Sequence, residues 1–112
     1  MKINKELLKG STELIVLSVL ENENMYGYEM IKKLKEKSED IFEFQEGTLY
    51  PILHKLEEKG WIISYWDEIG GKKRKYYSIT KDGKKKLKDK KEEWQIFSSS
   101  MNKIIGGVLF ES

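Results

Sequence analysis

The chain has 112 residues, 36% charged and 38% hydrophobic, with a formal net charge of +2, which suits one soluble domain with a modest core. It has no cysteine and one histidine, His54, which excludes a disulfide framework and thiolate metal sites and makes a histidine-based metal cluster an unpromising reading. The longest apolar run, Leu14 to Leu20, is seven residues broken by Ser18, against the roughly 20 that a bilayer span needs, so a cytoplasmic protein without membrane or cofactor is expected.

Residues 1–10 are weakly periodic and suit a short helix through Leu7 and Leu8. Ser11 suits an N-cap for the next helix, with Glu13 favourably placed in its first turn. Its run LIVLSVL is apolar nearly all round and should be buried on more than one side. ENEN is a break. In YGYEMIKKLKEKS a second long helix puts Gly27, Met30, Ile31 and Leu34 on one face and Lys32, Lys33 and Glu36 outside.

After EDIFEF, the stretch EGTLYPILHKLEEKG reads as a helix over about 46–59, ended by Gly60 where a left-handed residue is favoured. At about 100° per residue, Leu49, Leu53 and Leu56 define its core face. Gly47, Pro51, His54 and Glu58 point away, with Tyr50 and Lys55 on the flanks. Pro51 is expected in the first turn, where its missing N–H has no partner to lose. Gly47 and Thr48 keep the end slim, so backbone N–H groups can approach a phosphate. Glycine, threonine and proline also begin ordinary helices, and the segment downstream decides between the two readings.

WIISYW and RKYYSIT are β-branched and aromatic and flank DEIGGKK, which predicts a hairpin with a glycine-bearing, basic tip. From Gly70 to Lys91 there are eleven Lys or Arg against two acids, while the other ninety residues carry a net charge of −7. Such segregation builds a one-sided electrostatic face and makes a polyanion the first partner to consider. The last helix is capped by Thr80, with Asp82 in a first turn that Gly83 slightly weakens. Its apolar positions, Leu87, Trp94, Met101 and Val108 with Phe97 and Ile104 between them, form a heptad stripe interrupted by a lysine, and Gly106-Gly107 loosens its end.

Helices followed by a basic hairpin are the order of a winged helix-turn-helix. The expected fold is α+β, with residues 1–80 as a winged helix-turn-helix DNA-binding domain and 81–112 as a long C-terminal helix and tail. The helix at 46–59 would enter the major groove, and a wing at about 67–75 would lie on the backbone or minor groove.

GTLYPILHKLEEKGWI followed by RKYYSITKDGKKKL closely resembles the PadR family of winged-helix transcriptional regulators, in which a G-T-L-Y-P recognition helix and a Y-x-x-T-x-x-G junction recur. LLKGSTELIVLSVL and YGYEM resemble the family's first two helices, so the similarity covers about residues 6–93. The resemblance implies a homodimeric repressor of the short, single-terminal-helix kind, binding a pseudo-palindromic operator in double-stranded DNA. Dimerisation would use the last helix together with the N-terminal region, and some short members bind flat aromatic compounds between subunits.

Candidate DNA contacts follow. Arg74 and Lys75, with Lys72 and Lys73, are expected at the wing tip with no acid between Gly70 and Tyr77. They would supply affinity through phosphates or the minor groove rather than specificity. The plainer reading is a solvated hairpin with edge-protecting lysines. On the recognition helix, the Tyr50 hydroxyl and Lys55 suit phosphates, Thr48 suits a base or a thymine methyl, and Pro51 is a further DNA-contact candidate on the same outer face. His54 suits a base edge, a phosphate or plain exposure. Glu57 and Glu58 should tilt away. Tyr26, in YGYE, is a further backbone candidate. The polybasic KKKLKDKK would either extend the DNA-facing surface or serve plain solvation, and solvation is the favoured reading.

Trp94 reads as a core or dimer-interface aromatic. By the same resemblance, Trp94 and its counterpart would sandwich a planar hydrophobic ligand, with Leu14, Ile15 and Phe97 lining the cavity. Nothing suggests an enzyme, because the lone histidine has no evident nucleophile partner. The competing class is a small-molecule-binding or protein-interaction winged-helix module without sequence-specific DNA binding.

Overall fold

A computed structural model describes residues 3–106. Eight elements follow in order: α1 (Lys5–Lys9), α2 (Thr12–Leu20), β1 (Met25–Tyr26), α3 (Gly27–Lys37), α4 (Glu46–Glu58), β2 (Ile62–Ile69), β3 (Lys72–Ile79) and α5 (Lys81–Ile105). The architecture is α+β: the three core helices α2, α3 and α4 are backed by a small antiparallel sheet of order β1-β3-β2, with the short α1 before them and the long α5 at the C-terminal end. No described helix is long and apolar enough to cross a membrane.

The core forms where the helical period predicts. Val16, Leu17 and Leu20 of α2, Met30 and Leu34 of α3, and Leu49, Leu53 and Leu56 of α4 are buried together. Ile62, Tyr77 and Leu87 close the cluster from the sheet and α5. Ile31, expected on the same face as Met30, is only partly buried.

Several local expectations change. Ser11 does not cap α2 with its side chain: its ψ of 4° departs from the extended backbone that directs a cap hydroxyl at the first-turn amides. Pro51 lies inside α4, in the second turn, because the helix already begins at Glu46. Its missing N–H therefore removes the ladder bond to the Gly47 carbonyl, instead of falling among amides that are free anyway.

Gly60 ends α4 with φ +76°. The Gly60 N–H donates to the Glu57 carbonyl (3.0 Å) and the Trp61 N–H to the Leu56 carbonyl (3.1 Å), which together complete a Schellman termination.

The hairpin is longer than the sequence suggests. Gly70 and Gly71 alone form the turn, both at positive φ (64° and 77°), as a tight primed turn requires. Asp67 and Glu68 therefore belong to the strand, paired across from Arg74 and Lys73. Tyr26 stands at a helix start as expected, being the N-cap of α3, and it also pairs with Tyr76 while Met25 pairs with Tyr77, a third strand that the sequence did not announce.

The start of α5 is bound tightly to the turn after α4. Thr80 Oγ1 accepts from the Gly83 N–H (3.0 Å) and donates to the Gly60 carbonyl (2.7 Å), and the Thr80 N–H donates to the Trp61 carbonyl (3.0 Å). Gly83 is required by this closeness: a Cβ there would sit 2.0 Å from the Trp61 carbonyl oxygen. The Y-x-x-T-x-x-G pattern is thus a buried tyrosine, a helix cap and a close approach. Gly106 ends α5 with φ +77°. Val108, Gly107 and the rest of the tail lie outside the described residues.

Candidate nucleic-acid interface

The outer face of α4 is built from residues the helical period turns away from Leu49, Leu53 and Leu56. Thr48, Tyr50, Pro51, His54 and Lys55 are all exposed, so the five candidates share one continuous face. Gly47 opens onto empty space, since a Cβ there would meet nothing within 4 Å. His54 Nε2 lies 2.9 Å from Glu58 Oε1, one helical turn on, so Glu58 stays on this face while Glu57 turns to the sheet and accepts from the Ser64 hydroxyl (3.0 Å).

Tyr50 is only half free. Its hydroxyl end rests against the backbone of Gly27, the first residue of α3. That contact carries the face of α4 onto the start of α3, where Tyr26 sits just before the helix with its N–H donating to Glu29 Oε1 (3.3 Å). Tyr26 in turn meets β3, because the Arg74 guanidinium lies 4.4 Å from its ring centroid. Tyr50, Tyr26 and Arg74 are thereby linked through Gly27.

Lys72 and Lys73 flank the turn, but Arg74 and Lys75 sit further down β3, so the four cations are not all at the tip. Lys73 approaches the Trp66 ring and Lys75 the Tyr77 ring, each at 5.8 Å. The absence of an acid near these cations holds along the sequence and fails in space, where Asp67 and Glu68 lie across the hairpin. Burial, reinforced by Glu57 and Tyr50, pushes the Tyr77 phenol above its ordinary pKa.

On the other flank of α4, Pro51 and Lys55 border an open cleft of about 320 Å³, with Lys9 and Glu13 on its far wall. Glu13 is a junction. Lys59 Nζ donates to its Oε2 at 2.6 Å, and Lys90 Nζ lies 3.3 Å from its Oε1. Burial alone would raise the Glu13 carboxyl, but the hydrogen bonds and charges of Lys59 and Lys90 outweigh it and hold it below its ordinary value. Lys59, Lys86 and Lys90 also surround the Trp61 ring at 4.6, 5.5 and 5.6 Å. Part of the lysine-rich start of α5 therefore fastens that helix to the domain, as does the bond from Lys91 to Glu21 (2.9 Å).

The residues proposed around a ligand fall into two groups. Leu14 and Ile15 pack against the core, whereas Trp94 and Phe97 are 47% and 52% exposed, their rings 5.7 Å apart. Met101 and Ile104 continue this bare stripe. The sequence reading missed Trp66, an exposed indole on the wing, and Tyr28, exposed beside Lys32. Both stand in aromatic-rich stretches, which is the only local signal they give.

A family model described as the Transcriptional regulator PadR-like family matches residues 16–89. An uncharacterized protein of Lysinibacillus sphaericus is 32% identical over 82% of this chain and 85% of its own. Transcriptional regulator YqjI of Escherichia coli is 27% identical over 89% of this chain, which spans only 47% of that protein. Among solved structures, a transcriptional regulator from Clostridium thermocellum superposes with a TM-score of 0.82 at 37% identity, covering 88% of this chain and 97% of that one. A PadR family transcription regulator from Clostridium difficile gives 0.78 at 36% identity, over 86% and 99%. With the family model spanning most of the winged-helix region and the three-helix, hairpin and long-helix order in place, the chain belongs to the PadR-like family of transcriptional regulators.

Proposed function

We propose that the protein is a homodimeric, DNA-binding repressor that recognises a pseudo-palindromic operator in double-stranded DNA. The observation that carries this reading is the outer face of α4, where Thr48, Tyr50, Pro51, His54 and Lys55 are exposed together beside a lysine-bearing hairpin. In this reading α4 enters the major groove, while Lys72, Lys73, Arg74 and Lys75 meet phosphates or the minor groove and Tyr26 borders the contact. Residues 1–80 read DNA and residues 81–112 pair two copies.

The dimer reading is supported by the bare stripe of Trp94, Phe97, Met101 and Ile104, an apolar face at heptad spacing that a lone chain leaves in water. A planar hydrophobic effector would insert between two Trp94 rings, with Phe97 beside them and Leu14 and Ile15 supplied by the helix behind. Its binding would act by favouring one spacing of the two recognition helices over another. The alternative, a winged-helix module for a protein partner, would need an acidic surface to match the lysines.

The test is fluorescence anisotropy on the protein's own upstream DNA and on a scrambled duplex, titrated with salt, with the Arg74→Ala, Lys75→Ala double variant alongside. The proposal expects selective, salt-steep binding that the variant weakens and flattens. Equal weak binding to both duplexes, unchanged in the variant, would remove sequence-specific recognition from the wing and helix together.

A further inference from the structure

The chain holds twenty lysines and a single arginine, Arg74. Where charge alone is wanted this sequence uses lysine, including Lys72, Lys73 and Lys75 on the same strand. A guanidinium differs from an ammonium in being planar, less strongly hydrated and able to lie flat on an aromatic face. Arg74 is placed for such a contact: its guanidinium carbon lies over the Tyr26 ring at 4.4 Å from the centroid, the closest cation–aromatic approach among the described residues.

The platform beneath it is itself fixed. Tyr26 pairs with Tyr76 in the sheet and meets its ring edge-on at 5.5 Å. Tyr76 is buried, and Tyr65 stacks on it at 5.9 Å, with the Tyr65 hydroxyl accepting from Asn24 Nδ2 at 2.9 Å. Asp67 stands directly across the hairpin from Arg74. Arg74 is therefore half-buried and held against this platform, while Lys72 and Lys73 are exposed.

Resting on the DNA-binding role proposed above, we infer that Arg74 is the wing's shape-reading residue, entering a narrow, A·T-rich minor groove. Tyr26 is the positioning residue that holds Arg74 for it. A preset, weakly hydrated guanidinium gives up little entropy and little hydration on entering such a groove, where the negative potential is strongest. The lysines beside it add affinity without preference. The wing thus divides sequence-blind attraction from discrimination, and one side chain carries the second part.

The experiment uses the duplex that the wild-type protein selects from a randomised library, and the same duplex with its wing-contacted flanks changed from A·T to G·C. Arg74→Lys should keep binding but lose the flank preference, by roughly threefold or more. Tyr26→Leu should lose the same preference, Tyr26→Phe should recover it, and adding Tyr26→Leu to Arg74→Lys should change it no further. Lys72→Ala should weaken both duplexes alike. Thermal unfolding of each variant shows whether Tyr26→Leu is folded, and Arg74→Lys tests the inference without that burden. An Arg74→Lys protein that keeps the flank preference overturns the assignment, as does a Tyr26→Phe protein no better than Tyr26→Leu, which would make the hydroxyl the contact. A wild type that selects a duplex but ignores its flanks also overturns the assignment, alone. Failure to select any duplex overturns the DNA-binding role and this assignment with it.

Discussion

The Tyr50 hydroxyl occupies the space that a side chain at position 27 would need: a Cβ on Gly27 would fall 2.7 Å from Tyr50 Oη and 3.0 Å from its Cζ. Glycine at 27 therefore fixes where the phenol of α4 rests. Gly27→Ala should swing the Tyr50 ring outward, a motion its partial exposure allows. DNA affinity should fall several-fold, while the unfolding midpoint moves by only a few degrees, equivalent to about 1 kcal/mol. Paired anisotropy and thermal melts test this; equal affinity would mean that the placement of Tyr50 is irrelevant to DNA.

Gly47 is the opposite case. Nothing surrounds it, so Gly47→Ala should stabilise the helix by up to about 1 kcal/mol. If the slim helix start serves close approach to a phosphate, the same variant binds DNA less well. Stability and affinity then move in opposite directions, which urea titration and anisotropy read separately.

Gly83→Ala should be severe, because the added carbon meets the backbone carbonyl of Trp61 and not a flexible side chain. A loss of about 2–3 kcal/mol in denaturant unfolding is expected. A loss below about 0.5 kcal/mol, no more than an ordinary surface substitution produces, would show that the junction yields.

Glu13 makes a pH prediction. Its folded pKa is depressed, so its contribution is present above the unfolded carboxylate pKa and is lost as pH falls through the folded value. Glu13→Gln should cost about 1 kcal/mol at neutral pH, a modest figure for a partly exposed pair, and progressively less in acid. Urea midpoints of both proteins against pH should converge at low pH; a constant gap would assign the effect to something other than ionisation.

The apolar stripe of α5 makes two separable predictions. Met101→Lys should yield monomers by sedimentation and abolish operator binding. Trp94→Ala should leave the dimer but lose the quenching or binding of planar aromatic dyes. Retained dye affinity would remove Trp94 from any ligand site.

Leu49, Leu53 and Leu56 were legible in the sequence because a helix repeats within a few residues, and Gly70-Gly71 announced its own turn. Asp67 and Glu68 were not: they read as part of a loop, and only the strand register carries them across from Arg74 and Lys73. Gly83 looked like a weakness in a helix because its reason, the carbonyl of Trp61, lies 22 residues earlier. The links from Tyr50 to Gly27 and from Tyr26 to Arg74 likewise join distant segments, so the candidate site was legible as a set of residues without its internal order.

Leu87, buried against the domain, and Trp94, exposed beyond it, are seven residues apart on one unbroken helix. Seven residues at about 100° each return almost to the same side, so the seam that would pair two copies is locked in rotational phase with the domain proposed to read DNA. One extra residue between them would leave the core and the stripe each intact, yet turn one against the other by about 100°. A full heptad would restore the phase to within about 20° and move the seam roughly 10 Å further out. In a dimer of this design, the arrangement of operator half-sites would be set by a residue count in a segment outside the proposed reading face.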